Sequence, residues 1–170
     1  QDAAMAAMRY APYAVINACF TKRVWNLGYD NWPLGTKYFT DFVQADWVTN
    51  QENGDQAKPQ ILTLYAPMEE DERADLLDDE ESLYRAEKAV TELARFIPGC
   101  VDHLAEVRMF RRGHAMPMSI PGWYTKLQPA ARADLPPVYF AHSDSGGEVS
   151  DVAYAALNGI AAAKKALTHV

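Results

Sequence analysis

The stretch Val138-Tyr-Phe-Ala-His-Ser-Asp-Ser-Gly-Gly-Glu-Val-Ser-Asp-Val-Ala-Tyr-Ala-Ala-Leu-Asn-Gly-Ile-Ala-Ala-Ala-Lys-Lys-Ala-Leu167 decides how this chain is read. An apolar run, 138–141, ends in a small polar turn: His142, Ser143, Asp144, Ser145, Gly146 and Gly147. The following segment, 150–167, is rich in small residues and reads as a helix. Ser150 or Asp151 is placed to cap its start, and Lys164 and Lys165 suit its C-terminal dipole. Strand, polar turn and helix start together make an acceptor site for an anion or dipole, because the first helical N–H groups have no partner within the helix. The plain alternative is an ordinary strand–helix turn with an Ala-rich helix packed for its own sake.

Working outward, 1–9 reads as a helix end and 12–25 as a strand rich in aromatic and β-branched residues. Residues 26–40 have loop chemistry, with Gly28, Asn31, Pro33 and Gly35 among aromatic side chains. A loop that carries Tyr29, Trp32 and Tyr38 is a core plug or the wall of an apolar pocket. Strands are predicted at 41–49 and 60–66, joined through an Asn53-Gly54 turn. The acidic run from Glu69 to Glu81 leads into a helix over 81–96, with Leu83, Ala86, Val90, Leu93 and Ile97 on one face. Its acidic start suits the helix dipole, Glu81 and Arg85 are spaced to pair, and Pro98-Gly99 ends it. A strand is expected at 101–111, an irregular proline- and glycine-containing segment after it, and a short helix over 123–133 broken by Pro129.

Bulk properties narrow the classes. The 170 residues suffice for one ordinary core, and 49% hydrophobic with 23% charged residues is a globular mixture. A net charge of −7 argues against a nucleic-acid partner, and the short cluster Arg108, Arg111, Arg112 reads as a solvated strand face. Cys19 and Cys100 form no zinc pattern and no disulfide framework, although a bond between them stays open, and the four histidines show no metal-ligand spacing. No metal site and no membrane span are expected.

Residues 138–167 resemble the C-terminal flavin-contact segment of FAD-dependent amine oxidases and their spermidine-dehydrogenase-like relatives. In that family a strand ends in Ala-Gly-Asp/Glu or Asn-Ser-Asp. A helix of the type Gly-Ala-x-x-Ser-Gly-x-x-Ala-Ala follows a loop. Here the strand end reads Phe140-Ala141-His142-Ser143-Asp144 and the helix Tyr154-Ala155-Ala156-Leu157-Asn158-Gly159-Ile160-Ala161-Ala162. His142 stands where the family has Gly or Asn, and Tyr154 where it has Gly. Residues 8–32 are similar to the family's substrate-domain strand and aromatic loop. Residues 111–117 are similar to its run entering the active site.

The resemblance implies FAD as cofactor, with Ser143 and Asp144 on the ribityl side and Val152 and Ala155 at the pyrimidine edge. It places His114 and Met116 near the flavin face or substrate as catalytic candidates, although an ordinary hydrogen-bonded histidine is the plainer role for His114 and core filling for Met116. Tyr29, Trp32, Tyr38 and Trp47 become candidate walls of a small-molecule substrate pocket. The reaction implied is hydride transfer from an amine or similar small substrate to flavin N5. The fold class is α+β (mixed α/β). Residues 1–125 would be a substrate-binding portion, a mixed or antiparallel sheet with a flanking helix. Residues 135–170 would be the last strand and helix of a Rossmann-like FAD domain. None of the nine glycines forms the GxGxxG turn that holds the FAD pyrophosphate. An N-terminal FAD-domain segment or subunit is therefore the expected partner. The alternatives are a carotenoid desaturase or isomerase type of flavoprotein, and a non-enzymatic α/β binding module.

Overall fold

The computed structural model describes residues 1–45, 60–145 and 151–168. It is an α+β fold built on a five-stranded antiparallel sheet with several helices, and packing divides the chain into two units.

The first unit, Ala11–Ala115, holds the sheet. Its strands are β1 (Tyr10–Phe20), β2 (Asp30–Asn31), β3 (Asp41–Gln44), β4 (Gln60–Pro67) and β5 (Leu104–Pro117), in the order β2-β3-β4-β1-β5. β1 and β4 pair antiparallel from Tyr13↔Pro67 to Phe20↔Gln60, and β3 pairs with β4 from Asp41↔Tyr65 to Gln44↔Leu62. Strict alternation on β1 puts Pro12, Ala14, Ile16, Ala18 and Phe20 on the buried face. On β4, Leu62, Leu64 and Ala66 join that face. Helix α2 (Asp79–Leu93) adds Ala86, Ala89, Val90 and Leu93 to the same cluster. Asp78 caps the helix, accepting from the Glu80 and Glu81 amides.

Several sequence boundaries move. β1 stops at Phe20 rather than 25: Thr21 donates to the His103 carbonyl, and Trp25 folds back edge-on to Phe20 at 5.1 Å. Leu83 is exposed, because the buried stripe of α2 runs through Ser82, one residue earlier, to Ala86 and Ala89. A 3-10 turn occupies Cys100–His103, so β5 starts later than predicted and runs on to Pro117. Its Gly113 and Pro117 are tolerated because β5 is an edge strand, where a missing N–H need leave no ladder bond unmade. The acidic run is itself folded, as a 3-10 helix over Glu70–Leu77. Cys19 and Cys100 are both free thiols. The Asn53-Gly54 turn, Gly146, Gly147 and Ser150 lie outside the described residues.

The second unit comprises Gln1–Tyr10 and Met116–Val170. It contains α1 (Asp2–Ala7), a π-helical turn (Trp123–Leu127), α3 (Gln128–Ala131), a 3-10 turn (Ser143–Ser145) and α4 (Val152–Leu167). Pro129 does not break the helix expected over 123–133. It sits at the start of α3, where a missing N–H costs nothing. The Gln1 side-chain amide donates to the carbonyls of Ala131 and Ala133, which ties α1 to α3.

One local expectation fails in this unit. Residues 138–141 do not form a strand; the only pairing nearby is an isolated bridge, Leu135↔Val138. An apolar run becomes a strand when a neighbour takes its N–H and C=O groups. The five-stranded sheet does not include 138–141. Helix α4 is held by polar contacts, Asn158 to the His142 carbonyl and Lys165 to Asp134, but buries no side chain. It has sixteen residues, including Leu157, Ile160 and Leu167, and none is buried.

Candidate functional site

In the sheet unit a cavity of about 180 Å³ opens between the sheet, the 3-10 helix and α2. Ala14, Ile16, Ala66, Met68 and Met109 supply apolar walls; Tyr38, Tyr84, Lys37, Glu72, Glu81 and Arg85 supply the polar ones. Arg85 is the electrostatic centre. Its Nη2 donates to Glu72 at 2.8 Å and to Asp75 at 2.7 Å, and its Nε lies 3.4 Å from Glu81 Oε1, the pair expected from the spacing. The hydrogen bond from Arg85 holds the Glu72 carboxyl below its ordinary range. This pairing contributes stability above the carboxyl's unfolded pKa and loses it as pH falls through the lowered folded value. Arg85→Met should therefore flatten the acid limb of a thermal-melt profile below the ordinary carboxylate range and, because the Glu72 and Asp75 carboxylates are 36% and 35% exposed and screened by solvent, cost no more than about 1 kcal/mol at neutral pH. An unchanged acid limb would show that the contact contributes nothing.

Tyr38 reaches this cavity because its loop is pinned to α2. The Glu92 carboxylate accepts the Lys37 amide at 3.0 Å and the Tyr38 amide at 2.9 Å. Sequence reading missed Glu92 as the partner of the loop. The signal was there: Glu92 lies on the stripe of α2 that carries Ala89, so it had to meet something other than bulk water on that side.

The other proposed pocket walls do not join Tyr38. Tyr29 and Trp32 are exposed, and the Trp32 indole donates to its neighbour Asp30 at 3.0 Å. Trp47 lies outside the described residues. His114 lies on β5 beside a different hollow, with Arg73, Arg111 and Leu77, and Met116 farther along that strand is exposed. The basic strand cluster is paired: Arg108 with Glu106 and Arg111 with Asp79.

In the helical unit the turn after residue 141 is organised by Asp144, whose side chain is 7% exposed. Its carboxylate accepts Tyr10 Oη and Ser143 Oγ, both at 3.1 Å. Its backbone carbonyl accepts the buried Gln128 amide at 2.9 Å, and its own N–H donates to His142 Nδ1 at 3.1 Å. The Asn158 amide of α4 donates to the His142 carbonyl at 2.8 Å, so the turn is fastened to the helix as well. Burial, and then the adjacent Asp144 charge, push the Tyr10 hydroxyl up to about 12. For a group whose folded pKa is raised, the stabilisation is complete below its unfolded value of 10.0 and disappears as pH rises through about 12. Burial pushes the Tyr13 hydroxyl up to about 12 as well, so alkaline titration followed by tyrosinate absorbance should show a late phase of which Tyr10→Phe removes one hydroxyl and leaves that of Tyr13; a Tyr10→Phe curve identical to the wild type would contradict this contact.

The proposed cofactor contacts fall into two groups. Val152 and Ala155 stand exposed on the first turns of α4. Asp151 caps that helix by accepting from Tyr154 N at 2.8 Å, while the Val152 and Ala153 amides have no partner among the described residues. That helix start suits a polar ligand edge. Ser143 and Asp144 instead spend their polar atoms inside the unit. The described residues hold no cluster of His, Cys, Asp or Glu suited to a metal ion, and no described helix is long and apolar enough to cross a membrane.

No protein-family model and no curated protein matches the sequence. Among solved structures, one from Exiguobacterium sp. 255-15, described as a "Putative protoporphyrinogen oxidase", is similar in fold, with a TM-score of 0.64 at 13% sequence identity. The match covers 96% of this chain and 36% of that one, so the chain spans about a third of that protein's length.

Proposed function

We propose that the chain is a C-terminal portion of an FAD-dependent oxidoreductase of the amine-oxidase type, completed by a nucleotide-binding portion that supplies the GxGxxG turn. The observation that carries this reading is α4. A sixteen-residue helix with so many apolar side chains and no buried residue is built to be covered. The fold likeness to one third of a larger protein, named as an oxidase, supplies what would cover it.

In this reading residues 135–170 belong to the FAD domain, and the sheet portion binds the substrate. Bound FAD would accept a hydride at N5. The chain would contribute the uncapped amides at the start of α4, which face developing negative charge favourably. The cavity beside Tyr38 would orient a small substrate. Its walls carry Lys37, Glu72, Glu81 and Arg85, a lining that favours a small polar substrate over the apolar polyene of a desaturase. His114 and Met116, proposed by the resemblance as catalytic candidates, do not line that cavity.

Expression of the longer source protein tests this directly. Flavin absorbance bands near roughly 370 and 450 nm, retained through gel filtration, are expected for a bound chromophoric cofactor. A source protein without GxGxxG and without flavin would end the enzyme reading.

A further inference from the structure

We propose that the sheet face turned away from α2 is a binding surface for a neutral carbohydrate, with Trp32 and Tyr65 as stacking platforms and Asp30 and Asp41 as acceptors for sugar hydroxyls. The proposal goes beyond the flavoprotein reading and does not depend on it.

The core cluster takes the even-numbered side chains of β1 and β4, and the cavity beside Tyr38 opens on that side. The odd-numbered side chains point the other way, because direction alternates along a strand. Tyr13, Val15, Asn17 and Tyr65 are only half-buried there. Cross-strand partners share a face, so the register carries this face to the other strands. Tyr65 stands opposite Val15 on β1 and Asp41 on β3; Thr63 stands opposite Asn17 and Val43, and Val43 opposite Asp30. Side-chain contacts agree. The Thr63 hydroxyl donates to Asn17 Oδ1 at 2.8 Å, and the Tyr13 and Tyr65 rings lie 6.2 Å apart. Trp32, just past β2, donates its indole N–H to Asp30 at 3.0 Å and stays 68% exposed.

Carboxylates only accept, whereas a tyrosine hydroxyl can donate. Asp30 accepts from Trp32 and Asp41 from Thr40, which leaves each with further lone pairs. The Tyr13 and Tyr65 hydroxyls have no hydrogen-bond partner among the described residues. Burial, then Asp41 and Tyr65, raise Tyr13 to about 12; burial, then Tyr29, Asp41 and Asp30, raise Tyr65. Both therefore stay protonated donors at neutral pH. Donors, acceptors and flat rings on one face match a sugar, whose hydroxyls donate and accept and whose C–H face stacks on an aromatic ring. Anions are repelled by Asp30 and Asp41. An organic cation would meet the same carboxylates, but its attraction to aromatic rings is weak on an open, hydrated face, and it offers no acceptor to the tyrosine hydroxyls. Trp32 lies two strands from Tyr65, roughly 10 Å, a span that takes at least a disaccharide.

The test titrates the 170-residue chain with glucose and with cellotetraose, a flat neutral tetrasaccharide, by calorimetry and tryptophan fluorescence. Cellotetraose should bind at least about tenfold tighter than glucose, because only the linked sugar reaches both rings. Trp32→Ala should weaken cellotetraose about tenfold with an unchanged thermal melt, and Tyr65→Phe, which keeps the ring and loses the donor, should weaken it several-fold. Asp41→Asn keeps an acceptor oxygen and should retain most of the sugar affinity. Benzyltrimethylammonium is the competing probe. If it binds in place of cellotetraose, and Asp41→Asn abolishes that binding, the face is a cation site and the proposal is overturned. Unweakened cellotetraose binding by Trp32→Ala overturns it as well, and so does the lack of any saturable signal with cellotetraose up to ~10 mM. These readouts use no flavin, so their failure leaves the flavoprotein reading standing.

Discussion

Glu92→Ala should lower the unfolding free energy of the chain by about 3–5 kcal/mol, the cost of leaving buried donors unpaired where a charged acceptor stood. Glu92 is 9% exposed on the inner stripe of α2. Its Oε2 alone accepts two backbone amides, from Lys37 and Tyr38, and Oε1 takes a longer contact from Arg95 at 3.4 Å. Water does not readily replace such an acceptor, because Phe39, next along the loop, is buried against Phe42 in the core. Glu92→Gln separates charge from geometry. A glutamine carbonyl can still receive both amides, so that variant should lose only about 1–2 kcal/mol. Chemical denaturation of the wild type and both variants checks the order. Near-identical losses for Ala and Gln would mean that the loop is not held by this acceptor. The consequence for function follows from Tyr38: with Glu92 gone, Tyr38 is no longer fixed beside Arg85 and Glu72, and the cavity loses a wall.

The contrast between Glu92 and the core shows what a sequence of this kind discloses. β1 and β4 were legible because burial alternates along β1, and period-two patterning survives any detail of packing. α2 was legible as a helix, but its face was read one residue off. Leu83 fits the spacing as well as Ser82 does, and only the packing chose the smaller residue. The polar scaffolding was not legible. The Glu92 contacts join residues 55 and 54 apart, and Tyr10 meets Asp144 across 134 positions. No periodicity connects such pairs, because they depend on which segments the fold has already brought together. The same limit explains the substrate walls. Tyr29, Trp32 and Tyr38 share one loop and one composition, yet only Tyr38 has its backbone amide held by α2 and lines the cavity. For Ser143 and Asp144 local sequence marks the turn, while the direction of the Asp144 carboxylate is set by Tyr10, far away in the chain.

The segment that failed as a strand and the helix that failed to bury anything lead to the last expected result. Leu157 and Ile160 are 60% and 55% exposed, three residues apart and so on one face of α4, and Ala156, Ala163 and Leu167 continue that face at helical spacing. In the 170-residue chain by itself, Leu157→Glu with Ile160→Glu should change stability by no more than about 0.5 kcal/mol, as exposed substitutions do. In the longer flavoprotein proposed above, each side chain, once covered, would stand for about 1.5–3 kcal/mol of buried apolar surface, so the pair should lower the fraction of assembled, FAD-loaded protein at least ~100-fold. Flavin content per folded chain after gel filtration measures it, with the thermal melt of the shorter chain as the control. The asymmetry between the two contexts is the informative quantity. Strong loss in the long protein and none in the short one means that α4 is an interface helix whose partner lies in the rest of the protein. Equal tolerance in both would leave α4 facing water in the complete molecule. Residues 139–141 would then have no neighbouring strand to explain their apolar run, and the nucleotide-binding portion would have to be sought on another surface of the chain.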